Sequence, residues 1–233
     1  MLISLQKNFL FIHVPKTAGS SLHHILEPYS QKNNRTLVRR LMNHLPLRQD
    51  ISKAYFRQHA KCDLLQRQIA PKVFNSLHKF AAVRNPYDHI VSYYKFIQQN
   101  RQSSRQKEAQ NWSFSDAVSY FEKRNIYQPI NQTSWLVDKN GEFIVDRILF
   151  FESISEDFHK LADFLELEGS HKMPHYNVTS RSDYRDYYNN DLKLRVEALY
   201  KSDFDNFGYQ FDSLSPTTSP LKQVQESEHD KSR

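Results

Sequence analysis

The stretch FLFIHVPKTAGSS, Phe9 to Ser21, decides how the chain reads. Phe9 to Val14 is a nearly unbroken apolar run of strand length, without the alternation of a half-exposed strand, and reads as a short buried strand. A helix follows from Ser20 to about Tyr29, where Leu22, Ile25, Leu26 and Tyr29 fall at helical spacing. Further along, KFAAVR (Lys79 to Arg84) reads as a second strand. Pro86 then opens a helix, because its fixed φ and missing N–H suit the first helical position. A third strand, FIVDRILFF (Phe143 to Phe151), precedes Ser153, whose partner Glu156 three residues on makes a capping-box pattern. Phe158, Leu161, Ala162 and Leu165 mark the buried face of the helix beyond it. A last helix, near Asp191 to Lys201, carries Leu192, Val196, Leu199 and Tyr200. Strands alternating with helices predict an α/β fold, a mainly parallel sheet flanked by helices.

The 233 residues suffice for one domain with a sizeable core. Ser213 to Arg233 is rich in Pro, Ser and Thr and has no helical stripe, so the folded body is expected to be residues 1–212, with 213–233 a disordered tail. Arg101 to Asn111 is polar and predicts a mobile loop. No run of about 18 apolar residues is present, so no spanning helix is expected. The single cysteine, Cys62, excludes an internal disulfide. The four glycines stand at Gly19, Gly141, Gly169 and Gly208. Neither G-x-G-x-x-G nor G-x-x-x-x-G-K can be written with them, which disfavours dinucleotide enzymes and standard P-loop NTPases.

The net charge is +6, and its distribution says more than its size. Between Gln31 and Phe80 eleven basic residues face two acids, Asp50 and Asp63. This segment, read as helical in pieces, is either a solvated basic face or a surface that draws a polyanion.

The loop HVPKTAGSS lies between strand and helix, where unpaired N–H groups and the helix dipole favour an anion. Lys16 adds a full charge, and Thr17, Ser20 and Ser21 add hydroxyls. Lys16-Thr17 matches the end of a Walker A motif, but Pro15 stands where the glycine before its lysine belongs. On this loop alone, a phosphate site and an ordinary strand-to-helix turn with a capping serine weigh equally.

PKTAGSS resembles the 5′-phosphosulfate loop of sulfotransferases that use 3′-phosphoadenosine-5′-phosphosulfate (PAPS), in particular the Golgi-type carbohydrate sulfotransferases and their bacterial relatives. The family usually has Thr at the position of Ser20, so the hydroxyl is kept. FAAVRNPYDHIVSYY resembles its 3′-phosphate motif, which implies that Arg84 and Ser92 grip the 3′-phosphate; an arginine fork suits phosphate oxygens. GEFIVDRILFFESISEDF and HYNVTSRSDYRDYYNNDLKLRV are similar to later segments, so the resemblance runs from about Phe9 to Phe211. It implies a single P-loop-like domain, a nucleotide site formed by Lys16, Thr17, Ala18, Gly19, Ser20, Ser21, Arg84, Ser92 and Arg181, and PAPS as donor with 3′,5′-ADP as product.

Sulfuryl transfer is an in-line displacement governed by positioning and charge stabilisation. Lys16 is placed to meet charge on the leaving phosphate, and the acceptor hydroxyl calls for a base titrating near neutrality. His59, in FRQHAKCDLL, is implied by the resemblance to be that base; His13 is second and Glu152 third. No metal is expected: H-E-x-x-H is absent, and Pro174 breaks any helical pairing of His171 with His175. The sequence therefore predicts a PAPS-dependent sulfotransferase acting on a carbohydrate or small hydroxyl acceptor, possibly an acidic one, and binding no nucleic acid. A cytoplasmic, bacterial setting is the expectation. The rivals are a P-loop nucleotide kinase and a non-enzymatic polyanion-binding protein.

Overall fold

The computed structural model describes residues 1–32, 36, 47–51, 54–99, 106–125, 130–169, 182–213 and 216–217. Four strands form one sheet in the order of the chain: β1 (Leu2–Ser4), β2 (Phe9–Ile12), β3 (His78–Val83) and β4 (Arg147–Phe150). β1 runs antiparallel to β2, with Leu2 opposite Phe11, while β2, β3 and β4 are parallel, with Phe11 opposite Phe80 and Ala81 opposite Ile148. The helices are α1 (Gly19–Leu26), α2 (Cys62–Gln68), α3 (Pro71–Ser76), α4 (Pro86–Gln99), α5 (Gln106–Ala109), α6 (Phe114–Asn125), α7 (Ile154–Phe164), α8 (Asn190–Leu199) and α9 (Lys201–Phe207).

The sheet is buried on both faces, as the unbroken apolar runs of β2 and β3 require. Successive side chains of a strand point to opposite faces. Leu10, Ile12, Ala81, Val83 and Ile148 pack with Leu65 of α2, Phe74 of α3 and Ile69 between them. Phe9, Phe11, Phe80, Ala82 and Leu149 pack with Leu22 and Leu26 of α1 and Phe158, Leu161 and Ala162 of α7. A further apolar cluster joins α4, α6 and α8 through Tyr87, Ile90, Val91, Phe114, Val118, Val196 and Tyr200.

Several local expectations change. The third strand is shorter than FIVDRILFF: Ile144 N–H instead donates to Leu136 O at 3.0 Å, and Asp146 ties to Lys79 through both backbone and carboxylate before the strand begins. The capping box at Ser153 does not form. Asp157, one residue past the expected partner, accepts from both Ser153 Oγ and Phe150 N–H, while Glu156 turns out to Lys160. Within the expected loop, Gln106–Ala109 is a helical turn with Ala109 fully buried; residues 100–105 lie outside the described residues, as does most of the expected tail. Cys62 is buried, which pushes its thiol up to about 12.

Candidate functional site

The parallel strands β2, β3 and β4 end side by side, and their C-terminal ends carry the residues that the sequence singles out. This is where open α/β sheets place ligands. The chain leaves β2 through His13 and Val14 and turns at Pro15 and Lys16. Lys16 and Ala18 both adopt left-handed backbone, with φ of 67° and 63°, a conformation that costs a non-glycine residue about 1–2 kcal/mol and gathers at functional loops. Thr17, fully buried, donates its hydroxyl to Val14 O at 2.9 Å and so locks the turn. Its proton serves the loop. Helix α1 then begins, Leu22 N–H making the first full-turn bond to Ala18 O at 3.1 Å. Ser20 is exposed at its start and Ser21 is buried behind it. Gly19 is needed for space: a Cβ there would lie 1.8 Å from His13 Nε2, because the imidazole rests on it.

Arg84 ends β3. The residue is only 8% exposed; its guanidinium donates from Nε to Asp88 Oδ2 at 2.7 Å and covers the ring of Phe151 from 3.9 Å. Nη1 donates to Lys16 O at 3.2 Å. The second motif therefore holds the first. The backbone of Arg84 is pinned from the other side, its N–H donating to Gln132 Oε1 and its carbonyl accepting from Gln132 Nε2 at 2.8 and 2.7 Å. Gln132 is in turn held by Asp203, a fully buried carboxylate that accepts from Gln132 N and Nε2 and from Thr133 N and Oγ1. Burial raises Asp203 to about 6, and the four donors work against that rise.

Asn85 caps α4, its carbonyl accepting from His89 N–H and its Oδ1 from Tyr87 N–H. Pro86 follows at the first helical position, as the sequence predicts. One face of α4 meets the Pro15–Lys16 turn: His89 Nε2 is 2.8 Å from Pro15 O, and Phe96 lies 4.2 Å from Lys16 Nζ. Ser92, buried, lies between them on that face.

His59 reaches the same corner. Its Nδ1 is 3.0 Å from the carbonyl of His13, which can only accept, so Nδ1 carries the proton and Nε2 keeps its lone pair. The two rings meet edge to face at 4.5 Å, and Trp135 stands 6.3 Å away on another side. Desolvation lowers the His59 pKa, against the pull of the carbonyl. Lys61 donates to Ser134 Oγ at 3.2 Å beside it. His13, by contrast, is packed between Phe11, Gly19 and Gln58, whose Nε2 donates to its Nδ1 at 3.3 Å; burial drives its pKa down to about 2. Glu152 accepts from Asn85 N–H at 2.7 Å and from the Tyr209 hydroxyl at 2.9 Å, which ties the end of β4 to the second motif.

The sulfotransferase family model matches residues 1–210, nearly the whole chain. The chain belongs to the sulfotransferase family. A mouse sulfotransferase complexed with PAP matches with a TM-score of 0.51 at 14% identity, over 88% of this chain and 87% of that one, a likeness of fold. No curated protein matches the chain.

The turn after β2 and the end of β3 bring Lys16, Thr17, Ala18, Gly19, Ser20, Ser21 and Arg84 near one another; Ser92 is buried on α4, and His59 is held to His13 O. Arg181, His171 and His175 lie outside the described residues. His89, Gln132 and Asp203 were not legible as site residues, because their partners lie 74, 48 and 71 positions away and only the fold reveals them. Among the described residues no cluster of three or more His, Cys, Asp or Glu could hold a metal ion, and no helix is long and apolar enough to cross a membrane.

Proposed function

We propose that this sulfotransferase moves the sulfuryl group of PAPS to a hydroxyl of a carbohydrate acceptor, with Lys16 and His59 as its catalytic residues. The observation that carries the reading is the bond from Arg84 Nη1 to Lys16 O, which joins a lysine and an arginine at the ends of β2 and β3. Such a donor set fits a nucleotide with phosphate groups at both ends. The phosphosulfate supplies an activated sulfuryl group with a phosphate as leaving group.

Lys16, with the start of α1, faces the charge that grows on the leaving phosphate, the largest single contribution expected in a loose transition state. Arg84 and Ser92 serve the 3′-phosphate, and Arg181 is a further nucleotide contact. Asp88 and Phe151 fix the guanidinium plane beforehand, so little orientation is lost on binding. His59 Nε2 removes the acceptor proton. Its bond to His13 O selects the reactive tautomer, the task a carboxylate performs for the histidine of a hydrolytic triad. Lys61 beside it, and the basic residues of segment 31–80, favour an acidic saccharide.

Incubation with sulfur-labelled PAPS and a panel of neutral and acidic glycans, read by mass spectrometry, tests the proposal. Label should pass to a glycan hydroxyl, and 3′,5′-ADP should accumulate. Transfer only to non-carbohydrate hydroxyl compounds would remove the carbohydrate from the account.

A further inference from the structure

We infer that His89 is the positioning residue of the 5′-phosphosulfate loop: together with Arg84 it turns two successive loop carbonyls away so that the following amides face the anion. The inference rests on the proposal that this loop takes the phosphosulfate. His89 is fully buried, and both ring nitrogens are engaged at 2.8 Å, Nε2 with Pro15 O and Nδ1 with the hydroxyl of Tyr200. A carbonyl only accepts, so Nε2 carries the proton; Nδ1 then has a lone pair for the Tyr200 O–H to donate to. Tyr200, itself fully buried at the junction of α8 and α9, thus selects the tautomer that reaches the loop.

Pro15 O is held by His89 and the next carbonyl, Lys16 O, by Arg84. In a trans peptide the C=O and N–H of one unit point in opposite directions. Anchoring these two carbonyls on α4 and the end of β3 therefore directs Lys16 N–H and Thr17 N–H to the opposite side of the turn. The left-handed backbone at Lys16 and Ala18 belongs to the same arrangement, in which successive amides converge to make an anion-binding concavity. A glycine-rich loop reaches such a shape through backbone freedom. Here no glycine precedes Gly19, and a buried histidine supplies the constraint from outside.

The test uses the full chain and two nucleotides, 3′,5′-ADP and adenosine 3′-phosphate, which lacks the 5′-phosphate. Gln can present an amide N–H where His89 Nε2 stands, whereas Asn falls short of Pro15 O. His89→Asn should weaken 3′,5′-ADP about tenfold or more while changing adenosine 3′-phosphate by less than about threefold, and His89→Gln should restore most of the difference. A role confined to stability would lower both affinities together, or neither. An unchanged ratio between the two nucleotides in His89→Asn, or equal losses in Asn and Gln, would overturn the inference. Should the His89 variants fail to fold, Tyr200→Phe removes the tautomer lock and should weaken 3′,5′-ADP selectively; an unchanged ratio there overturns it equally. A wild-type chain that binds neither nucleotide sinks the PAPS reading and this inference with it, whereas an active wild type with an indifferent His89→Asn sinks the inference alone.

Discussion

His59 Nδ1 donates to the backbone carbonyl of His13 at 3.0 Å, and the ring of His13 rests against Gly19 at the start of α1. One short chain of contacts therefore joins the proposed base to the proposed phosphate loop. A carbonyl cannot shift its acceptor role with pH, so the tautomer of neutral His59 is fixed over the whole working range.

His59→Ala should slow the chemical step about 10² to 10⁴-fold with little change in 3′,5′-ADP affinity, since a general base acts on the acceptor. In the wild type, kcat/KM should rise with pH as the imidazole loses its proton and then level off. Desolvation lowers this pKa, so the midpoint should fall below the ordinary histidine value of about 6.5. Single-turnover rates across pH check both parts; a mutant as fast as the wild type would move the role elsewhere.

Arg84→Ala should weaken 3′,5′-ADP by about 1.5–3 kcal/mol through the lost charge-assisted contact. Because the same guanidinium holds Lys16 O, 5′-AMP should weaken as well, by less. Calorimetry with both nucleotides decides the matter. Equal losses would mean that Arg84 acts only by bracing the loop.

Asp203→Asn places an amide NH₂ where a carboxylate accepts from Gln132 and Thr133. At least one donor then faces another, and the chain should lose about 3 kcal/mol of stability. The backbone of Arg84 hangs on Gln132, so nucleotide affinity should fall too. Urea unfolding with a loss under about 0.5 kcal/mol would contradict the network.

Stability should also fall in acid. His13 and His89 are held neutral by burial, with pKa values pushed down to about 2 and about 3, whereas in the unfolded chain each titrates near 6.5. Between these limits the unfolded chain binds more protons, so their contribution is complete above about pH 6.5 and drains as the pH falls, at up to about 1.4 kcal/mol per pH unit for each histidine. Asp203, raised to about 6, runs the other way between about pH 6 and 4, since the folded state takes up its proton first. Of these three groups the net loss there is about one proton's worth, and His78, lowered by burial to about 4, adds to it. Urea midpoints at several pH values, converted through the slope m, check the sign.

The strands β2 and β3 were legible because a sheet covered on both faces demands unbroken apolar sequence. β1 was not: three residues closed by a turn with Asn8 at φ 51° carry too little pattern. Helix α6 did carry a signal, since Ser113 and Asp116 cap each other and Phe114, Ala117, Val118 and Phe121 follow at helical spacing. The two segments that resemble phosphate-binding motifs were readable as local strings. Their mutual bracing was not, because Arg84 to Lys16, His89 to Pro15 and Asp203 to Gln132 are pairings made by the fold, and nothing in the neighbouring residues announces them.

Single-turnover transfer from sulfur-labelled PAPS, compared between the wild type and Lys16→Ala, tests the central claim most directly. Lys16 sits on the strained turn between β2 and α1, with its carbonyl held by Arg84 and its ammonium beside Phe96. The account predicts transfer by the wild type and a loss of at least about 10²-fold in the folded mutant, the scale of one removed transition-state donor. Equal rates in the two proteins, or a wild type that leaves the label on PAPS with every hydroxyl acceptor offered, would contradict it.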